Sequence, residues 1–94
     1  MLIRSQNKSV LLNFSNLDAI YTVKDGDDFI ISSLKDENKC TLGKYSTKAK
    51  SMKVLDMIQE AYERYEYEKV FKTGLTLFET FQMPEDSDVE EWVM

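Results

Sequence analysis

The stretch Leu42-Gly43-Lys44-Tyr45-Ser46-Thr47, continued by Lys48 to Tyr65, decides the fold. Within it Val54, Leu55, Ile58, Ala61, Tyr62 and Tyr65 recur at steps of three and four, the spacing that gathers side chains on one face of an α-helix. Ser46 or Thr47 is placed to cap that helix, and neither Gly nor Pro interrupts it before Gly74. The chain before the helix breaks into short β-rich runs, and the chain after it holds one more. The helix therefore reads as the cover of a sheet.

Working outward, Met1 to Ser5 and Ser9 to Phe14 read as two strands. Ala19 to Val23, Phe29 to Ser33 and Cys40 to Leu42 follow as a third, fourth and fifth, on their β-branched and aromatic content. Asp25-Gly26 supplies a tight hairpin turn, because Gly takes positive φ without strain. Lys35 to Asn38 is an exposed turn, and Gly43 is expected to bend the chain into the helix. The helix should fade between Tyr65 and Phe71, Thr73-Gly74 should restart the chain, and Leu75 to Met83 should form a last strand ended by Pro84. The expected fold is α+β over residues 1–84: an antiparallel meander of about five strands, one long helix packed on the sheet, and a returning C-terminal strand. Residues 85–94 form an acidic C-terminal tail.

Composition narrows the function classes. With 43% hydrophobic and 31% charged residues the chain suits a packed domain rather than a disordered one. No apolar run is long enough to span a bilayer and no signal-peptide pattern opens the chain. The single Cys40 allows no internal disulfide. A cytoplasmic protein with no membrane partner is expected. The net charge of −5 comes entirely from Glu85, Asp86, Asp88, Glu90 and Glu91, since twelve basic and twelve acidic residues precede them. A neutral body with an acidic tail argues against nucleic acid as a partner.

The residues for common chemistries are missing. With no histidine, neither a Ser-His-Asp nor a Cys-His nucleophile system can form. Cys40 has no second Cys or His with which to share zinc, and three scattered glycines make no phosphate-cradling loop. Asp25, Asp27 and Asp28 resemble half a calcium loop, but Asp36 stands at the twelfth position where Glu is needed, so they read as turn acids. The expectation is a non-enzymatic protein with no cofactor and no metal.

Charge order along the helix is the main anomaly. Helices favour acids at the N-terminus and bases at the C-terminus. Here Lys48, Lys50 and Lys53 open the helix, with Lys44 just before, while Glu60, Glu63, Glu66 and Glu68 crowd its end. Free amides at a helix start favour an anion. Lys44, Ser46, Thr47, Lys48 and Lys50, with Arg4 and Gln6 alongside, make a candidate site for an anionic or nucleotide-like small molecule; an ordinary solvated face is the alternative. Tyr62 and Tyr65 continue the buried stripe while Tyr67 points elsewhere, and Met52 and Met57, on opposite flanks of it, widen the apolar arc beyond what one sheet needs. Trp92 in the tail offers a docking side chain. Met52, Tyr62, Tyr65, Tyr67 and Trp92 are therefore the candidate interface residues, with a homodimer as the simplest use.

Ile3-Arg4-Ser5-Gln6-Asn7-Lys8 resembles the opening I-R-S-Q-D-K of a family of small, functionally uncharacterised proteins from Gram-positive bacteria and their phages. Leu42-Gly43 with Tyr45 and Thr47, then Val54-Leu55-Asp56 with Ile58-Gln59, is similar to that family's second block, and Phe81-Gln82-Met83-Pro84 to its closing strand. The chain departs from the pattern at Asn7, where Asp is usual, and at Met57, where Glu is usual. The resemblance implies a phage or mobile-element accessory protein, acting in the host cytoplasm and counteracting host defence; it implies no reaction and no catalytic residues. Two functions fit: sequestration of an anionic or nucleotide-like ligand, or inhibition of a host protein, with the acidic tail and the tyrosine-rich helix end blocking a nucleic-acid or protein site on it.

Overall fold

The computed structural model describes residues 1–71 and 79–90, with Phe71 described by its backbone alone. In chain order it contains β1 (Leu2–Arg4), β2 (Leu11–Asn13), a 3-10 turn (Phe14–Asn16), β3 (Ala19–Asp25), β4 (Asp28–Lys35), β5 (Asn38–Tyr45), α1 (Lys48–Phe71), β6 (Thr80–Gln82) and a second 3-10 turn (Asp86–Asp88). The class is α+β, with one long helix packed on the sheet. Its strands divide between two three-stranded sheets, ordered β2-β1-β6 and β3-β4-β5.

The division follows from local chemistry between β2 and β3. Asn13 accepts hydrogen bonds from the Ser15 amide at 3.2 Å and the Ser15 hydroxyl at 2.8 Å, turning the chain into a 3-10 segment at Phe14. Such side-chain caps compete with a strand ladder. The second strand thus stops short of Phe14, and the meander continues only through β3, β4 and β5. β1 pairs antiparallel with β2 and parallel with β6. Parallel pairing needs a long crossover, and α1 lies within the one that joins them. Of the expected strand from Leu75 to Met83, residues 72–78 lie outside the described residues, as does the Thr73-Gly74 restart. Thr80–Gln82 pairs as β6, and the Met83 amide continues the pairing with Arg4 O at 3.0 Å.

Two tight turns set the register of the meander. Asp25 pairs with Asp28, so Gly26 and Asp27 are the central residues, with positive φ at Gly26 (61°). Lys35 pairs with Asn38 across Asp36 and Glu37, both at positive φ (47° and 70°) without a glycine. Asp18 steadies that turn by accepting the Asp36 amide at 3.0 Å.

β5 extends past Leu42 to Tyr45, and Gly43 does not bend the chain into the helix as its position suggests. The ladder with β4 jumps from Ile31–Gly43 to Ser32–Thr41, leaving Leu42 as a bulge. A bulged residue is released from the ladder, and the Leu42 carbonyl accepts the Gln6 amide at 2.7 Å, which ties the end of β1 to the second sheet. Gly43 makes room for an aromatic ring: a Cβ there would lie 3.0 Å from the Tyr45 Oη and 3.1 Å from its Cε2.

α1 begins after Thr47, whose Oγ1 accepts the Lys50 amide at 3.1 Å; Thr47 is thus the cap, and Ser46 is free for another role. Ser51, Val54, Ile58 and Ala61 form the buried stripe of the helix. With Ile3, Ile31, Leu42, Tyr45, Met83 and Val89 their apolar members make one core. Ser51 stays satisfied inside it by accepting from Thr22 Oγ1 and donating to Lys48 O, both at 2.8 Å.

Candidate functional site

The chain around the start of α1 explains the charge anomaly. After β6, Met83 and Val89 are buried, and Pro84 O accepts hydrogen bonds from Tyr45 Oη at 2.8 Å and Gln6 Nε2 at 3.1 Å. The first part of the acidic tail is therefore docked on the domain. Docking carries Asp86 to the helix N-terminus. Its Oδ1 accepts from the Ser46 amide at 2.8 Å and the Ser46 hydroxyl at 3.1 Å. Its Oδ2 lies 3.5 Å from Lys50 Nζ, which also donates to Asp86 O at 3.1 Å. The Ser46 amide, then the Ser46 hydroxyl and the Lys50 charge, hold the Asp86 carboxyl below the usual carboxylate range against the cost of partial burial. The negative charge missing from the first turn is thus supplied from 36 residues away.

Of the seven residues expected to gather an anion, Gln6, Lys44, Ser46 and Lys50 converge here. Gln6 bridges like a strand, accepting the Lys44 amide at 2.9 Å and donating to Lys44 O at 3.1 Å. The Lys44 ammonium lies 3.6 Å from Asp28. Thr47 serves as the cap. Arg4 turns aside to donate to Lys8 O at 3.2 Å, and Lys48 is exposed. Tyr45, absent from that set, is the buried centre of the arrangement; burial, and after it the charges of Glu85 and Asp86, push its phenol far above the ordinary tyrosine value.

A second feature lies farther along the helix. Phe14, Leu17 and Ile20 face Leu55, Ile58 and Tyr62 across a groove of about 450 Å³, with Asp18 and Gln59 completing its lining. The Phe14 and Tyr62 rings pack at one end, centroids 4.7 Å apart and tilted by 34°. Acids flank the helical wall: Gln59 donates to Glu63 at 3.0 Å, and Glu66, one turn on from Tyr62, raises its phenol. A groove of this volume and lining suits an apolar occupant. Its one sequence signal was the pair Phe14 and Leu17, apolar residues in a connection that loops usually keep polar.

The expected interface residues do not form one patch around this groove. Tyr62 lines it, Tyr65 is half-buried with Lys69 Nζ 6.0 Å from its ring centroid, and Met52 and Tyr67 are 43% and 64% exposed. Val70, at 65%, joins Tyr67 as an exposed apolar residue near the helix end. Trp92 lies outside the described residues.

Among the described residues no group of three His, Cys, Asp or Glu side chains is arranged to hold a metal ion, and no helix is long and apolar enough to cross a membrane. No known protein family, no curated protein and no solved structure matches the chain.

Proposed function

We propose that this is a non-enzymatic, protein-binding accessory protein that blocks a surface on a host protein through the groove between α1 and the chain from Phe14 to Ile20. The observation that carries this reading is the groove itself, with half-buried Phe14, Leu17, Ile20, Leu55 and Tyr62 set around buried Ile58. Concave, mostly apolar clefts with a few polar groups at their edge are the usual binding-site candidates on a domain. The phage or mobile-element setting rests on the sequence blocks at Ile3 to Lys8, Leu42 to Gln59 and Phe81 to Pro84. The absence of histidine from the sequence supports a binding role rather than acid–base chemistry.

Capture from host-cell extract tests it, with wild type compared against Gln59→Trp, an exposed position at which a large side chain fills the groove. A stoichiometric protein partner held by wild type and lost by the variant is expected. Equal capture by both would overturn the proposal.

A second reading, sequestration of an anionic or nucleotide-like molecule at the start of α1, is favoured by one observation: that position already holds a carboxylate, from Asp86. An external anion would have to displace it. Native mass spectrometry of protein purified from cells separates the readings, since a retained small ligand adds its mass to the chain.

A further inference from the structure

The charge around the groove selects the partner, and we infer that the groove takes a basic amphipathic peptide segment, one that inserts aliphatic or aromatic side chains and sets Lys or Arg against an acidic rim. This rests on the groove being the working face. Most of the lining is apolar, with Asp18 and Gln59 as its polar members, so the occupant must supply apolar anchors. Among the described residues none that lines the groove is basic, and the one that is charged is Asp18. Along the helical wall Glu63 is held beside Gln59 by a 3.0 Å hydrogen bond, and Glu66, one turn on from Tyr62, is near enough to raise its phenol. Three carboxylates thus border one apolar cleft.

That pattern discriminates between occupants. A second copy of this chain, at net charge −5, would bring the same acids onto the same rim, and like charges brought together across an interface oppose association. An anionic small molecule would meet the same rim. A segment with apolar residues at i, i+3 or i+4 and basic residues flanking them satisfies both lining and rim, and it is a common form of helix-in-groove recognition. Surfaces of this composition occur on proteins that themselves bind nucleic acid or other acidic partners, so an acidic chain that covers one would compete with its natural ligand.

Selection of short random displayed peptides against the full chain tests this without choosing a partner beforehand. Enriched sequences should combine Leu, Ile, Phe or Trp anchors with Lys or Arg. A synthetic peptide of the consensus should shift the amide resonances of Leu17 to Ile20 and Leu55 to Tyr62. Glu63→Gln with Glu66→Gln should weaken it about three- to tenfold at low salt and flatten its salt dependence. Gln59→Trp should abolish binding.

Failure to enrich any groove-directed peptide, a neutral or acidic consensus, or shifts centred elsewhere would overturn the inference. So would groove shifts that depend on protein concentration alone, which would assign the face to a second copy. Nuclear Overhauser contacts from Leu75, Leu77 or Phe78 to Tyr62 would assign it to the chain itself. A captured host partner that is lost with Gln59→Trp but docks through an acidic or neutral segment would overturn this inference and leave the groove as the working face. Capture indifferent to Gln59→Trp would overturn both.

Discussion

At its start α1 is enclosed: Thr47 caps it, Asp86 accepts from Ser46 and pairs with Lys50, and the Tyr45 ring is fully buried beneath Pro84. From Leu55 onward the same helix presents Leu55, Gln59 and Tyr62 to an open groove, then exposed Tyr67 and Val70. Sequence charge had drawn attention to the first region, because its lysines oppose the helix dipole. The contrast teaches that an unfavourable local charge order can be corrected within the chain, while the flank of a buried apolar stripe, at Leu55 and Tyr62, borders an open groove among the described residues. A charge anomaly marks a place needing a partner; it does not say that the partner is foreign.

Breaking the closed region should cost most. Tyr45→Ala removes a fully buried ring and its hydrogen bond to Pro84, and should lower unfolding free energy by about 3–5 kcal/mol in a denaturant titration. Gly43→Ala should cost about 1–3 kcal/mol, because the added Cβ would crowd the Tyr45 ring at 3.0 Å. If Gly43→Ala is neutral, the ring has room to move and the closed region is looser than its contacts indicate.

Asp86→Ala should cost about 0.5–2 kcal/mol in the same assay, the range for loss of a helix-capping side chain. Because its carboxyl titrates below the ordinary range when folded, the stabilisation from Asp86 is present above about pH 4 and is lost as the pH falls through the lowered folded value. Asp86→Asn should therefore reduce the acid-side loss of stability, and an unchanged acid limb in the variant would contradict the contact.

Two lysines sharpen the comparison at smaller scale. Lys50→Glu places a second acid beside Asp86 and should destabilise, whereas Lys48→Glu, at an exposed position in the first turn, should stabilise by about 0.3–1 kcal/mol. Equal effects of the two would show that Asp86 does not distinguish them. Gln59→Trp, at the groove, should leave stability within about 0.5 kcal/mol, as exposed substitutions usually do.

Much of the fold was legible because it rests on periodicity and turn chemistry. The spacing from Val54 to Tyr65 fixed the helix, Gly26 marked one hairpin, and the β-branched runs marked the strands. What stayed hidden depended on long-range contacts. Nothing local tells that Asn13 would cap a turn and split the strands into two sheets, that a bulge at Leu42 would bind Gln6, or that Gly43 would lie under a ring two residues on. For the candidate site, the lysines and Ser46 were legible as a group, yet their partner Asp86 read as part of a separate tail. The groove was least legible, since Phe14 and Leu17 meet Leu55 and Tyr62 only after the chain has folded back.

Amide hydrogen exchange on the protein, free and bound to its captured partner, measures most directly which region does the binding. New protection at residues 14–20 and 55–62, with amides 46–50 and 86 unchanged, is the result expected of a closed helix start and a working groove. Protection confined to 46–50 and 86, with the groove unaffected, would contradict it and return the function to the start of α1.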